Sequence, residues 1–175
     1  MAVINTADDV LTHPQAAAEV TGVPQYAVTK VIAIAATDDD TSKFLIAELP
    51  AEVVIDEITL ESPAITAGTA YDVGIYNTDG SVVDADVFAA NLDMSNVTGL
   101  PTGPTGDPIR QAMTALALTD VNKKLWELAG HVNKPFPATG ETHKKTKYRI
   151  VLTADTIGSA AGTIVARIKY RKMSA

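Results

Sequence analysis

Cysteine is absent from the 175 residues, which removes disulfides, thiolate nucleophiles and cysteine metal sites at once. Aromatic residues make up only 5% of the chain, with a single Trp, so a sugar-binding cleft lined by exposed rings has little to be built from. No apolar run approaches the about 20 residues that a membrane-spanning helix needs. The first residues, MAVINTADDVLTHPQ, carry two aspartates where a secretory signal carries positive charge and an apolar run. The expectation is a soluble chain, not exported by that route. What remains, 46% hydrophobic and 20% charged residues, is the composition of one globular domain with a real core.

The chemical motifs that would announce a reaction are also missing. His13, His131 and His143 fall in separate stretches with no paired spacing, and zinc sites are usually recognised by such spacing. Gly158-Ser159-Ala160-Ala161-Gly162 is no nucleophile elbow, because the serine is not the central residue of the five. No P-loop lysine follows a glycine-rich stretch, and no GxGxxG occurs. The segment YDVGIYNTDGSVVDADVF, residues 71–88, resembles a calcium loop only at first sight. With Gly80 in the sixth place, the first ligand would be Ile75 and the twelfth Asp86 instead of a bidentate Glu. It reads better as a strand, Tyr71 to Tyr76, followed by an Asn77-Thr78-Asp79-Gly80 turn. Asp84 is then expected to cap a short helical turn through Phe88, with Asp86 a solvated neighbour. No catalytic, metal-binding or cofactor-binding residue is expected, and the chain is read as a non-enzyme.

Strand patterns dominate instead. TKVIAIAA (29–36), KFLIAEL (43–49) and EVVIDEITLE (52–61) alternate with β-branched residues and are separated by turn sequences, so they predict three consecutive strands in a tight meander. Near the end, KYRIVLTA and GTIVARIKYR flank a glycine-containing turn and predict a hairpin. In it Tyr148, Ile150, Leu152, Ile164, Ala166, Ile168 and Tyr170 share the core face. Lys147, Arg149, Arg167, Lys169 and Arg171 share the other and would form one basic, solvent-facing stripe.

Between these groups the chain changes character. VTGLPTGPTGDP, residues 97–108, is Pro/Gly-rich and reads as a long surface loop. Asp107 and Pro108 then offer an N-cap and a first helical residue, and apolar positions from Ile109 to Ala129 recur at helical spacing until Gly130. A helical excursion over about 108–129 is therefore expected, with Trp126 either in the core or anchoring an interface. The domain plan is an N-terminal arm over residues 1–25 and a single mainly antiparallel β-sandwich over 26–175.

Charge is sharply divided along this plan. Residues 1–133 hold 5 Lys and Arg against 19 Asp and Glu, a balance of −14, whereas residues 134–175 hold 9 against 2, a balance of +7. Two arrangements fit: the fold brings the opposite charges together within one chain, or an acidic and a basic face meet on different subunits. The basic run HKKTKYR, residues 143–149, raises nucleic-acid binding, but the acidity of the rest opposes a polyanion, and none is expected.

FLIAELPAEVVIDEITLES, YDVGIYNTDGSVVDADVFA, KKLWELAG and GTIVARIKYR, taken in that order, resemble small virion proteins of tailed bacteriophages that are encoded near the major capsid protein and regarded as head decoration (cement) or minor structural proteins. The resemblance spans residues 27–170 and leaves out the arm and the 97–108 loop. It implies a jelly-roll-like β-sandwich on the outer surface of the head, often a trimer, with the major capsid protein as partner and neither membrane nor cofactor. It implies no catalytic residue. A tail, neck or fibre component, or a carbohydrate-binding module, is the alternative.

Overall fold

The strands foreseen by alternation are present, and their neighbours are not the foreseen ones. The computed structural model describes residues 25–63, 65, 67–95, 109–112, 116–130, 146–158 and 161–172. The proposed arm up to residue 24, the 97–108 loop and the three histidines lie outside the described residues. The strands are β1 (Gln25–Ile34), β2 (Lys43–Pro50), β3 (Val53–Ser62), β4 (Ala70–Tyr76), β5 (Val82–Leu92), β6 (Ile109–Ala112), β7 (Lys147–Thr156) and β8 (Gly162–Lys172), with one helical turn, α1 (Leu125–Leu128), before β7.

They form two four-stranded antiparallel sheets, β1-β8-β3-β6 (sheet A) and β2-β7-β4-β5 (sheet B). Except at the β4–β5 hairpin, each strand hands over to the opposite sheet, which is the two-sheet jelly roll. The inner faces close over one core. Ile164, Ala166 and Ile168 of sheet A and Tyr148, Ile150 and Leu152 of sheet B are all fully buried, and each large side chain so buried contributes about 1.5–3 kcal/mol. Tyr71 fixes one end of this core, its hydroxyl donating to the Ile157 carbonyl at 2.7 Å.

Four expectations are corrected. β1, β2 and β3 do not form a meander, because β2 lies in the sheet opposite β1 and β3. Alternation specifies which side of a strand is apolar, and a sandwich satisfies that without pairing consecutive strands. β7 and β8 are likewise in different sheets and make no hairpin. The helix over 108–129 is replaced at its start by β6, which pairs with Thr59–Ser62 of β3; hydrogen bonding to an open sheet edge outweighs weak helical spacing. Among the described residues of that span, helix is confined to α1, where the Glu127 carboxylate accepts the Lys124 N–H at 2.7 Å. Here Leu125 is fully buried and Trp126 is partly buried against the core. Finally, Asp84 caps no helical turn: residues 82–92 are strand β5.

The β4–β5 turn does follow the sequence. Asn77 and Ser81 close it through a 2.9 Å backbone bond, the Asp79 carboxylate accepts the Ser81 N–H at 2.8 Å, and Gly80 takes φ +90°, where a side chain would be strained.

Candidate functional site

The five basic residues singled out by the sequence all face away from the core, as their parity requires, but they do not form one stripe. Arg167, Lys169 and Arg171 lie on β8 in sheet A; Lys147 and Arg149 lie on β7 in sheet B. The sandwich puts the two groups on different sheets because each strand turns its apolar parity inward from its own side.

On sheet A the basic row lies beside an acidic row. β8 pairs with β3, whose register sets Lys169 directly against Glu57 (2.6 Å); Arg167, opposite Thr59, reaches diagonally to Glu61 (2.6 Å), and Arg171, opposite Val54, reaches Asp56 (2.9 Å). Asp56 reaches this row from the bulge between Ile55 and Glu57. On sheet B, Glu48 of β2 takes both Lys147 (3.2 Å) and Arg149 (3.4 Å), and these cations, Lys147 first, hold its carboxyl below the usual range. Exposed pairs of this kind are each worth about 0–1 kcal/mol. Basic C-terminal strands thus meet acidic earlier strands inside one chain, the first of the two arrangements the charge division allowed. Arg167 and Lys169 still keep 46% and 51% of their side-chain surface open, enough to meet a further partner.

Sequence reasoning did not foresee a second charged region. β5 is heavily bulged against β4: two steps along β4, Val73 to Ile75, correspond to five along β5, Ala89 to Asp84. The extra residues fold over Gly74, where an added Cβ would lie 2.1 Å from the Asp84 carbonyl oxygen and 2.3 Å from Ala85 backbone atoms. Asp86 is thereby carried toward Asp72 of β4, which also lies beside Asp155 of β7, and Asp84 lies beside Asp86. Burial, opposed by a 2.7 Å bond from the Asn91 N–H and reinforced by Asp155, pushes the Asp72 carboxyl up; burial and then Asp86 do the same for Asp84. Spacing in sequence gave no sign of this gathering, since Asp72 and Asp155 meet only through β4–β7 pairing. A glycine inside an alternating strand was the available signal.

The described members of the cluster are all aspartates. Among the described residues no group of three His, Cys, Asp or Glu side chains is placed to hold a metal ion. No described helix is long and apolar enough to cross a membrane. Tyr26 is the one large aromatic among the described residues with a strongly exposed ring, and it stacks on Tyr170 at 5.5 Å.

No known protein family matches the sequence, and no curated protein matches it. Solved structures resemble the fold. A chain in the capsid of Ralstonia phage GP4 is 15% identical over 87% of this chain and 86% of that one, with a TM-score of 0.49. One in the capsid asymmetric unit of cyanophage Pam1 is 16% identical over 86% of both chains, with a TM-score of 0.47. One in the capsid of Helicobacter pylori bacteriophage KHP30 is 12% identical over 85% of this chain and 93% of that one, with a TM-score of 0.43.

Proposed function

We propose that this chain is a non-enzymatic structural protein of a bacteriophage virion that decorates the head and stabilises it by binding across capsid subunits. The observation that carries the reading is the jelly-roll order itself, β1-β8-β3-β6 over β2-β7-β4-β5, in a chain whose sequence resembles phage head-decoration proteins along the same strands. FLIAELPAEVVIDEITLES occupies β2 and β3, YDVGIYNTDGSVVDADVFA occupies β4 and most of β5, and GTIVARIKYR occupies β8. Filled inner faces and ion-paired outer faces suit a block that works through its surface.

Its mechanism is adhesion. A protein that binds the assembled shell and not its dispersed subunits shifts the equilibrium toward the shell by mass action. Apolar contact supplies affinity, while half-exposed charges such as Arg167 and Lys169 supply specificity and salt sensitivity. The partner is the major capsid protein, the place is the outer surface of the head, and the protein self-associates, with the trimer the resemblance implies as the favoured state. A sugar-binding module is disfavoured by the scarcity of exposed rings among the described residues.

Negative-stain microscopy of virions labelled with an antibody to this protein tests the reading. Label over the head is expected; label confined to tail, neck or fibres would replace it with the tail alternative, and unlabelled virions would remove both.

A further inference from the structure

Among the described residues the sandwich has four edge strands, and three are blunted against pairing with another chain. β2 has a bulge between Leu45 and Ala47, the charges Lys43 and Glu48, and Pro50 at its end. β5 has its bulges, Asp84 and Asp86, and Asn91 at φ +54°. β6 is four residues long. Charges, prolines, bulges and shortness are the devices by which natural sheets keep their edges from recruiting strands.

β1 has almost none of them. Its ten residues run in unbroken register along β8, from Gln25↔Arg171 to Ile34↔Gly162, with no proline and Lys30 as the sole charge. From Gln25 to Val31 the strand is open on both faces: Val28 is half-buried and the other six are exposed, Tyr26 at 47% and Val31 at 60%. A strand with no neighbour on one edge among the described residues, open on both faces and bearing Tyr and Val, is a template for strand addition.

We infer that β1 is a self-association edge, and that it takes β1 of a second copy in antiparallel pairing about a two-fold axis. The second copy is favoured on charge and on supply. A two-fold ribbon centred near Val28 sets Lys30 against Tyr26 of the other copy and keeps the two lysines apart, so no like charges oppose each other. The mate it requires, a long unbulged edge of matching length, is what β1 itself provides. Such a contact is isologous and pairs copies in twos; among trimers it joins copies of different trimers. A seven-residue ribbon is small against the roughly 1,200 Å² at which stable interfaces begin, so pairing is expected at high protein concentration and to be reinforced wherever copies are held side by side. The inference concerns the purified protein and stands independently of attachment to a shell.

The absence of native cysteine makes the test clean. Val28→Cys, which the two-fold axis sets against its own copy, and an equimolar mixture of Ala27→Cys with Thr29→Cys, which it sets against each other, are oxidised in the full-length protein beside Val82→Cys, an exposed position on the blunted β5 edge. Disulfide-linked dimers should form at least tenfold faster for one or more β1 sites than for Val82→Cys. In sedimentation equilibrium, Ala27→Glu/Thr29→Glu should weaken dimerisation at least tenfold with the melting temperature kept, since each new carboxylate faces Lys169 or Arg167 across β8 while meeting its like across the copy contact. Equal cross-linking rates, or an unchanged dimer constant in the folded double variant, would overturn the inference. So would β1 cysteines shielded from alkylating reagent in the monomer, which would assign the edge to the chain's own residues 1–24.

Discussion

The β8–β3 face of sheet A and the β4–β5 side of sheet B handle charge in opposite ways. On sheet A, β8 and β3 run side by side with one bulge, and three cations each find a carboxylate, Lys169 directly across and Arg167 and Arg171 off the paired position. On the β4–β5 side of sheet B, repeated register shifts fold one strand over the other, gathering Asp72, Asp84, Asp86 and Asp155 with burial and mutual repulsion raising Asp72 and Asp84. Along β8 and β3 the outward parity of both strands brings cations and carboxylates within reach, directly for Lys169 and Glu57 and diagonally for Arg167 and Glu61. A repeatedly bulged ladder moves side chains off their parity, so like charges end up together and depend on protonation or a partner for relief.

The contrast breaks most severely at Gly74. Replacing it with Ala drives a methyl into the Asp84 and Ala85 backbone, which cannot yield as a side-chain tip does. A loss of more than about 3 kcal/mol is expected in urea unfolding, in the upper range of overpacking effects. A loss under 1 kcal/mol would mean that β5 does not fold over β4. Next comes Tyr71→Phe, which strips the buried hydroxyl from the Ile157 carbonyl and leaves that acceptor unsatisfied, for a loss of about 1–2 kcal/mol. Burial pushes this phenol up to about 12, so its ultraviolet titration should lie above the ordinary 10.0 of a tyrosine.

Smaller effects sharpen the electrostatic half. Asp72 and Asp84 hold their protons more tightly folded than unfolded. Their ionisation therefore penalises the folded state at neutral pH, and the penalty is relieved as pH falls through their raised pKa toward the ordinary 3.8. Asp72→Asn, which keeps an acceptor for the Asn91 N–H, should melt higher than the parent at pH 7, with the gain fading on acidification. Glu48, held low by Lys147 and Arg149, works the other way, so the variant-minus-parent difference is the quantity to follow; a gain that grows toward acid would contradict the cluster. Last, Lys169→Glu opposite Glu57 should cost about 0–1 kcal/mol at low salt and less at high salt, and Glu57→Lys/Lys169→Glu should restore it.

These two halves also mark what was legible in the sequence. Parity was: Tyr148, Ile150, Leu152, Ile164, Ala166 and Ile168 are buried, and Lys147, Arg149, Arg167, Lys169 and Arg171 point outward. Partnership was not, because period two tells a strand which face to bury and says nothing of which strand lies beside it. The basic residues were therefore found but placed on a hairpin that the two-sheet crossover between β7 and β8 forbids. β6 was lost to four residues whose spacing also suits a helix, and β5 to an Asp84 that reads as a cap when the bulge moving it is unseen. Gly80 announced its turn because turn chemistry is local; Gly74 needed β5 above it before its role could be stated.

Decoration of the head is the central claim, and binding to shells tests it most directly. Purified protein titrated onto undecorated shells of the cognate phage should co-sediment to saturation at a fixed ratio to the major capsid protein. The shells should then disrupt at higher temperature as free protein rises above its dissociation constant. Protein that stays in the supernatant at concentrations well above micromolar, or that saturates without moving the disruption temperature, would contradict it.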